Sequence, residues 1–450
     1  MAQRKVEYIF NADSNFGMHE RDYDIALKLV EAKSKYGYPE KFRTCWGKNT
    51  SERIFKIASI LQYHNLDKGV TLARQSNSNE VLKNIKRENI KLETYSTLEQ
   101  KFNQLQVPIY AELILGLPGE TYDSWKLGIE QMLNSGLNNQ LFVYQAEVYP
   151  NTELGSEEYQ SKFKIKTHKI KLNEIHCSPR PNGWTSEYQY IVIQTETMTV
   201  SDWRNMTVYS IITMLLHSMK SGIYIISFLR DFTKLNYSEI FQLFINSKSK
   251  IVSKFTSLCL EYTDKLLAGE GRGIYIPEYS DVYLEMEEVL LIEVCKNKED
   301  FYAEINEIYS KFIDNSIISH WHEVLKFQEL SIPKFNVKEI NIEADFNTSV
   351  PDYCISIFNN KDLQLIDKYQ VLKYKIPAYT DFQDFVKRQI IWSRKSGTIL
   401  LRSDLEIKTR ENNTINYSLK DIKREKTFQI SLFDPKTRQR FEKFNSLEKS

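Results

Sequence analysis

The sequence has few cysteines, and none of them belongs to a cluster. The five cysteines among the 450 residues are Cys45, Cys177, Cys259, Cys295 and Cys354. The closest two, Cys259 and Cys295, are 36 positions apart, so the sequence contains no CxxC or CxxxCxxC arrangement. The usual spacings of zinc and iron–sulfur ligands are therefore absent. An odd and sparse set of cysteines also argues against a secreted disulfide-rich scaffold.

An excess of charge of either sign is missing as well. Lys and Arg together number 60 and Asp and Glu 59, which gives a formal net charge of +1. This balance leaves no basic field, so we expect no nucleic-acid partner. Hydrophobic residues make up 42% and charged residues 26%. These proportions exclude a largely disordered chain, and the length predicts two or three domains.

Long hydrophobic runs are likewise absent. The first residues have no apolar stretch behind a basic start, so they do not resemble a signal peptide. The most hydrophobic region, residues 208–229, is interrupted by His217, Lys220 and the Ser221-Gly222 pair. Each half is too short to cross a bilayer core of about 30 Å. We predict two buried helices there, no membrane span and a cytoplasmic protein.

The first 150 residues alternate between strand and helix patterns. Helical spacing of apolar residues separates each strand from the next, and one such helix begins near Thr121 and ends at Gly136. The predicted strands are Val6–Asn11, Phe42–Cys45, Gly69–Ala73, Ile109–Leu115 and Leu141–Glu147. Five strands joined through helices predict an α/β fold with a parallel sheet, either doubly wound or curled into a barrel.

The pattern changes after this region. Residues 207–330 carry apolar residues mainly at helical spacing. From about residue 331 the pattern consists of shorter alternating segments, Val337–Phe346, Tyr353–Phe358 and Thr398–Arg402. We therefore predict three domains: an α/β domain over residues 1–206, a mainly helical region over 207–330 and a small α+β unit over 331–450.

Polar or glycine-rich turns follow several of the predicted strands. In a parallel α/β sheet or barrel, ligands bind at the carboxyl ends of the strands. Glycine in such a turn allows the backbone to approach a flat ligand closely, and polar groups can bind hydroxyls or an ammonium group. Together the turns predict a nucleoside-like site. The candidate residues are Asp13, Asn15, Gly17, Arg74, Gln75, Ser76, Glu112, Gly116, Leu117, Pro118, Gly119, Pro150 and Asn151.

Structural interpretations of the same segments remain open. Asp13 and Asn15 could cap the helix that follows them, and the Gly-Leu-Pro-Gly turn at 116–119 could be a tight strand-to-helix connection. A second glycine-rich segment, Gly-Glu-Gly-Arg-Gly at 269–273, lacks the spacing of a dinucleotide fingerprint. We interpret residues 269–273 as a mobile loop.

The turns resemble, in their order, motifs of the radical S-adenosylmethionine (SAM) superfamily, in its branch with an N-terminal cobalamin-binding domain. The segment from Asp13 to Gly17 resembles the motif that receives the amino group of SAM. Residues 114–121 resemble the turn that packs on the adenine. Residues 74–76 and Glu112 lie where the family places ribose and methionine contacts, and Pro150-Asn151 resembles a turn beside the adenine.

The resemblance covers about residues 6–206. It implies SAM as a cofactor, a TIM-like partial (β/α) barrel of about five strands, and hydrogen abstraction or methyl transfer on an organic substrate of unknown identity.

The sequence departs from this family at the family's first motif. There the family has three cysteines, spaced CxxxCxxC, that hold a [4Fe–4S] cluster. The segment would lie before residue 6, and none of the five cysteines can replace it on spacing grounds. We therefore expect a barrel without its first βα unit. The cluster, and cobalamin through a missing domain, would come with a separately encoded N-terminal polypeptide that carries CxxxCxxC.

We expect this chain to be a split or truncated form that is inactive alone. One alternative is a degenerate SAM-binding or nucleotide-binding scaffold or regulatory module without catalysis. Another is a barrel-like enzyme without iron, for which the sequence supplies no nucleophile or general base.

Overall fold

The computed structural model describes residues 1–47, 52–66, 69–89, 92–104, 109–358, 365–391 and 406–409. These residues separate into two units. The smaller unit comprises residues 1–73 and 90–111 within the described ranges. The larger unit comprises residues 74–89 and the described residues from 112 to 409.

Strands and helices alternate in the first half of the described chain. In order they are β1 (Tyr8–Phe10), α1 (Glu20–Tyr36), β2 (Lys41–Arg43), α2 (Glu52–Tyr63), β3 (Val70–Gln75), α3 (Asn79–Asn84), α4 (Leu92–Gln104), β4 (Ile109–Leu115), α5 (Tyr122–Asn134), β5 (Gln140–Gln145), α6 (Glu157–Lys162), β6 (Lys166–Lys171) and β7 (Tyr188–Gln194). The α/β class predicted for this region is confirmed.

Helices dominate the rest of the described chain. They are α7 (Val200–Thr213), α8 (Ile223–Phe232), α9 (Tyr237–Ile245), α10 (Lys250–Leu267), α11 (Met286–Lys296), α12 (Lys298–Tyr309), α13 (Ile318–Ser331), α14 (Val350–Ser356) and α15 (Phe382–Val386). The strands in this part are β8 (Ile340–Thr348), β9 (Asp367–Ile376) and β10 (Glu406–Thr409). The division into three domains stays a prediction.

In the smaller unit, β1 and β2 pair in parallel, with Ile9 opposite Phe42. Helix α1 ends at Gly37, which has φ of +74° and donates its N–H to the Lys33 carbonyl at 2.7 Å. Glycine adopts this left-handed conformation at little cost, so it commonly ends helices. Helices α1 and α2 pack together through buried apolar side chains, among them Ala26, Val30, Ile54, Ile57 and Ala58.

The strands β3, β4 and β5 form a sheet in that order. The five predicted strands are therefore all present, in two sheets within the described residues. The predicted start of a helix near Thr121 is confirmed, and Thr121 caps α5, because its Oγ1 accepts the Ser124 N–H at 3.1 Å. Gly136 follows the end of that helix with φ of +104°.

The hydrophobic region forms α7, a π-helical turn (Met214–Ser218) and α8. Residues 206–229 are buried throughout, so the expectation of two buried helices is confirmed. Among the described residues, no single helix is long and apolar enough to cross a membrane. The pair 200–218 and 223–232 meets the length and composition criteria only jointly, with a 95° bend between its halves.

The last described part contains an antiparallel sheet in the order β10–β9–β8. The predicted strand at 337–346 overlaps β8, whereas most of the segment 353–358 lies in helix α14 rather than in a strand. Pro351 in the first turn favours the start of that helix, because proline fixes a helical φ where no N–H partner is needed. Residues 398–402 lie outside the described residues.

Candidate functional site

The loop after β3 and the turn after β4 are joined by a buried carboxylate. Ser76 donates its hydroxyl to Oε2 of Glu120 at 2.7 Å, and Ser124 donates to the other oxygen. Ser76 and Glu120 are each only 1% exposed. Burial raises the pKa of Glu120, and the hydrogen bonds from Ser124 and Ser76 partly oppose that shift. Ser76 is one of the residues predicted from the sequence, whereas Glu120 is not.

Arg74 and Gln75 precede this serine. Arg74 is 5% exposed, and its Nε donates to Oδ1 of Asn77. Asn77 in turn donates its Nδ2 to the Gly128 carbonyl at 2.8 Å, which anchors the loop on helix α5. Gln75 has φ of +64°. Residues 74–77 are therefore held in a defined conformation by side-chain hydrogen bonds.

The turn at 116–119 contains two glycines with left-handed φ, +104° at Gly116 and +96° at Gly119. A Cβ at Gly116 would lie 3.3 Å from the Val192 carbonyl oxygen. A Cβ at Gly119 would lie 2.6 Å from Nδ2 of Asn84. Both glycines are therefore needed for backbone conformation and close packing within the chain, as the structural interpretation expects. Contact with an adenine stays a prediction.

The end of α3 and the residues just after it contact the glycine turn and the turn after β5. Asn84 donates its Nδ2 to the Pro118 carbonyl at 3.1 Å, and it accepts the Tyr159 hydroxyl on its own carbonyl at 2.9 Å. Lys86 forms a 2.5 Å ion pair with Glu153, which follows Pro150 and Asn151 in the same exposed turn. The structure thus brings the end of α3, the glycine turn and the turn after β5 together. Leu117, beside Pro118, is 6% exposed.

Glu112 lies in the middle of β4. Its neighbours Ala111 and Leu113 are buried, whereas Glu112 and Ile114 are half-buried. Successive side chains of a strand point to opposite faces, so Glu112 and Ile114 share the more open face of β4. At Pro150-Asn151, Asn151 has φ of +67°.

The first candidate segment belongs to the smaller unit and forms its own turn. Oδ1 of Asp13 accepts the Asn15 N–H at 2.9 Å. The Gly17 N–H donates to Oδ2 of Asp22 at 2.8 Å. Helix α1 is capped by His19 and Asp22, so the alternative that Asp13 and Asn15 cap this helix does not hold. That Asp13 and Asn15 contact a ligand stays a prediction.

The cysteines do not fit a [4Fe–4S] cluster. Cys45 and Cys177 are exposed, whereas Cys259 and Cys354 are buried. Burial raises the pKa of these two buried thiols, and raises the pKa of Cys295 to about 12, so they favour the protonated form that does not bind metal. Within the described ranges, no group of three or more His, Cys, Asp or Glu residues is placed to hold a metal ion.

Comparison with known proteins finds relatives for about half of the chain. TokK of Streptomyces tokunonensis, a cobalamin-dependent radical SAM methyltransferase, is 32% identical over 242 residues, 54% of this chain and 35% of TokK. The 2-(S-pantetheinyl)-carbapenam-3-carboxylate methyltransferase of Streptantibioticus cattleyicolor is 30% identical over 242 residues, with the same coverage. This chain therefore spans about a third of the length of the curated relatives it matches.

Among solved structures, the radical SAM methyltransferase TsrM of Kitasatospora setae matches with a TM-score of 0.33 and 13% identity, covering 46% of this chain and 43% of TsrM. No protein-family model matches this sequence. TokK is a cobalamin-dependent radical SAM methyltransferase, so the predicted resemblance to the radical SAM superfamily is confirmed.

Proposed function

We propose that this chain is the SAM-binding part of a cobalamin-dependent radical SAM methyltransferase that acts on an organic substrate. The observation that supports this most is the 32% identity to TokK over 242 residues. The predicted motifs in the first 206 residues point to the same chemistry. In this proposal the five strands β1–β5 form part of a (β/α) barrel.

The residues offer donors and acceptors that suit SAM. In the smaller unit, the Asp13 carboxylate suits an ammonium group, and the Asn15 amide adds hydrogen-bonding groups. In the larger unit, the Glu112 carboxylate suits ribose hydroxyls, and the Asn151 amide adds hydrogen-bonding groups. The Asx turn that bonds Asp13 to the Asn15 N–H at 2.9 Å orients the carboxylate before a ligand arrives. Bound SAM would supply the methyl group or, after reductive cleavage, a radical.

The iron–sulfur cluster has no ligand set in the printed sequence, so we derive no step through it. We propose that a separate polypeptide carrying CxxxCxxC supplies the cluster, and that cobalamin binds outside the residues described here. On this proposal the chain alone is inactive. One relative is named for methylation of a carbapenam carboxylate, and we propose only an organic methyl acceptor for this chain.

A second candidate function is a SAM-binding scaffold or regulatory module without catalysis. It is favoured by one observation: within the described ranges, no group of cysteines or other ligands could hold a metal. The two functions share the SAM site and differ in whether a cluster assembles.

The test is anaerobic co-expression of the chain with a polypeptide from the same genome that carries CxxxCxxC. The enzyme proposal expects iron in the purified complex, Fe–S absorbance, and 5′-deoxyadenosine when SAM and a reductant are added. A complex that holds iron yet yields neither nucleoside nor methylated product contradicts the enzyme proposal. SAM binding without iron supports the scaffold.

The site itself is tested by calorimetry of SAM binding to the same preparation. Glu112→Gln is expected to weaken binding about tenfold, or about 1.4 kcal/mol. Glu158→Gln, an exposed glutamate on α6, is the matched control and should bind SAM like wild type. Equal affinity in both variants removes Glu112 from the site.

A further inference from the structure

Strands β6 and β7 of the larger unit form a two-stranded antiparallel sheet with one exposed face. Lys169 lies opposite Tyr190, and Lys171 lies opposite Tyr188. Directly paired residues of antiparallel strands point to the same face of the sheet, and so do residues two apart along a strand. All four side chains are exposed, the two tyrosines by 46% each. We call the surface formed by these four residues the Lys–Tyr face.

The opposite face of the same sheet is packed inside the protein. It carries His168, Ile170, Gln189 and Ile191, which alternate with the residues of the Lys–Tyr face. Ile170 and Ile191 are fully buried, and Gln189 is 9% exposed. Helix α7 contacts β7, and helix α10 contacts β6. The buried face therefore fixes the sheet on the protein, and the Lys–Tyr face is presented to solvent.

Both edges of the sheet are hydrogen-bonded to neighbouring backbone. Beside β7, the Val148 N–H donates to the Tyr190 carbonyl at 2.8 Å, and the Val192 N–H donates to the Ala146 carbonyl at 2.8 Å. Beside β6, the Lys171 N–H donates to the Gly269 carbonyl at 3.1 Å. A partner that added a strand would have to displace these bonds. The side chains of the Lys–Tyr face are therefore the accessible part of this sheet.

The glycine-rich segment 269–273 that borders β6 is packed tightly, which differs from the mobile loop that the sequence suggests. A Cβ at Gly271 would lie 2.4 Å from Nδ2 of Asn173, and a Cβ at Gly273 would lie 2.8 Å from Cβ of Tyr283. Arg272 of the same segment lines a cavity of about 50 Å³ beside β5. The segment thus forms a fixed border for the sheet.

The two strands carry positive charge that no carboxylate of their own offsets. Strand β6 contains Lys166, Lys169 and Lys171, and neither β6 nor β7 contains an Asp or a Glu. Within the described ranges, none of these three lysines forms an ion pair. Their ammonium groups are therefore available to carboxylates of another molecule.

Carboxylates that flank the strands are mostly paired elsewhere. Glu187, which precedes β7, accepts a hydrogen bond from Nη2 of Arg180. Glu196, which follows β7, lies 3.0 Å from Nζ of Lys164. Glu270, in the bordering segment, is exposed. Three lysines on β6 against this one carboxylate leave an excess of two positive charges.

Aromatic rings lie beside these charges. Nζ of Lys169 lies 4.1 Å from the centroid of the Tyr188 ring, a distance at which a cation is attracted to the face of the ring. Trp184, in the connection between β6 and β7, is 67% exposed. Tyrosine and tryptophan supply large contact areas at protein interfaces, and complementary charges select the partner.

We propose that the Lys–Tyr face docks an acidic segment of a partner polypeptide, with Tyr188 and Tyr190 as the contact surface and Lys169 and Lys171 as counter-charges for its carboxylates. A nucleic acid suits the chain less well, because the whole molecule has a net charge of only +1. The face contains none of the predicted SAM contacts, so this proposal does not rest on the proposed function.

The experiment measures binding of fluorescein-labelled poly-L-glutamate to the full chain by fluorescence anisotropy at low ionic strength. Lys169→Gln/Lys171→Gln should weaken binding about tenfold, equivalent to about 1.4 kcal/mol, because two exposed ion pairs are lost. Lys234→Gln/Lys311→Gln removes the same charge at two exposed lysines outside β6 and β7, and should bind like wild type.

A tyrosine variant separates a docking face from general charge attraction. Tyr190→Ala keeps both lysines and should still weaken binding severalfold, because the ring supplies contact area. Tyr8→Ala is the matched control, since Tyr8 is 44% exposed on β1 of the smaller unit. Its binding of poly-L-glutamate should equal that of wild type.

Measurements on wild type keep the test decisive if a variant fails to fold. Wild type should bind poly-L-glutamate more tightly than poly-L-lysine, and added salt should weaken binding because exposed charges are screened. The opposite preference, binding that salt does not weaken, equal affinity of the two double variants, or unchanged binding in Tyr190→Ala each overturns the proposal. Tighter binding of oligothymidine or of phosphatidylserine vesicles than of poly-L-glutamate also overturns it, in favour of a nucleic acid or a membrane.

Discussion

The hydroxyl of Ser76 donates a 2.7 Å hydrogen bond to Oε2 of Glu120, across 44 positions of sequence. Both side chains are buried, and this bond joins the loop after β3 to the turn after β4. The Thr197 hydroxyl also donates to the Glu120 carbonyl, at 2.7 Å. Glu120 therefore links three separate segments of the larger unit, and changes at this residue should affect stability before they affect ligand binding.

Ser76→Ala is expected to lower the free energy of unfolding by about 1.5–3 kcal/mol, because a buried carboxylate loses one of its hydroxyl donors. Ser161→Ala, at an exposed serine of α6, should change it by less than about 0.5 kcal/mol. Urea denaturation followed by circular dichroism measures both. Equal values for the two variants would mean that the Ser76 hydrogen bond adds nothing to stability.

Glu120 should also make stability depend on pH. Its pKa in the folded chain is raised above the ordinary value of 4.5, so the folded state holds this proton more tightly than the unfolded state does. As pH rises from 4.5 through the raised pKa, the free energy of unfolding should fall. In Glu120→Gln, the free energy of unfolding should fall less over this pH range, because the variant has no carboxyl group to titrate. Denaturation of both proteins from pH 4 to pH 8 tests this, and parallel profiles would contradict it.

His217 should make the free energy of unfolding depend on pH in the opposite direction, so that stability is lost as the pH falls. Burial, and then the nearby Lys220, lower its pKa to about 3 from 6.5, while its ring bonds the Leu137 carbonyl at 2.7 Å. The unfolded chain then takes up a proton first, so stability is lost as pH falls from 6.5 towards 3, by about 1.4 kcal/mol per pH unit.

His217→Gln keeps an N–H donor for Leu137 and should have a flatter pH profile. Wild type and variant are compared by chemical denaturation between pH 4 and pH 7. A variant whose stability falls as steeply as that of wild type would exclude His217 as the cause.

Gly116 and Gly136 form a matched pair for testing the turn after β4. Both have φ of +104°, but a Cβ at Gly136 meets nothing within 4 Å, whereas one at Gly116 meets the Val192 carbonyl and the Ala146 side chain. Gly136→Ala should cost about 1–2 kcal/mol for the left-handed backbone. Gly116→Ala should cost roughly 1 kcal/mol more, because the added methyl group is crowded. Urea midpoints and slopes measure both, and equal costs would show that the packing around Gly116 adjusts freely.

Local signals in the sequence predicted local structure well. Thr121 and Gly136 marked the two ends of α5, because the capping hydroxyl and the glycine act within one turn of helix. The structure of the segment 353–358 was harder to predict from the sequence. Alternating apolar residues over six positions fit a short strand or a short helix equally, and the structure has most of them in α14 after Pro351.

The candidate site was predicted only in part. The turns that contain Ser76, Pro118 and Asn151 follow strands, and their position after those strands was visible in the sequence. The buried carboxylate of Glu120 was not, because Ser76 and Glu120, far apart in sequence, come into contact only when the helices and strands pack.

The sequence by itself determined the order of strands and helices up to residue 150, the resemblance to radical SAM proteins and the lack of a cysteine triplet. These depend on spacing along the chain, which needs no folding to be observed. Only the tertiary structure decided that Ser76 bonds Glu120 and that a small cavity lies beside β5. Burial and charge at such points come from segments that packing brings together, and no local pattern encodes them.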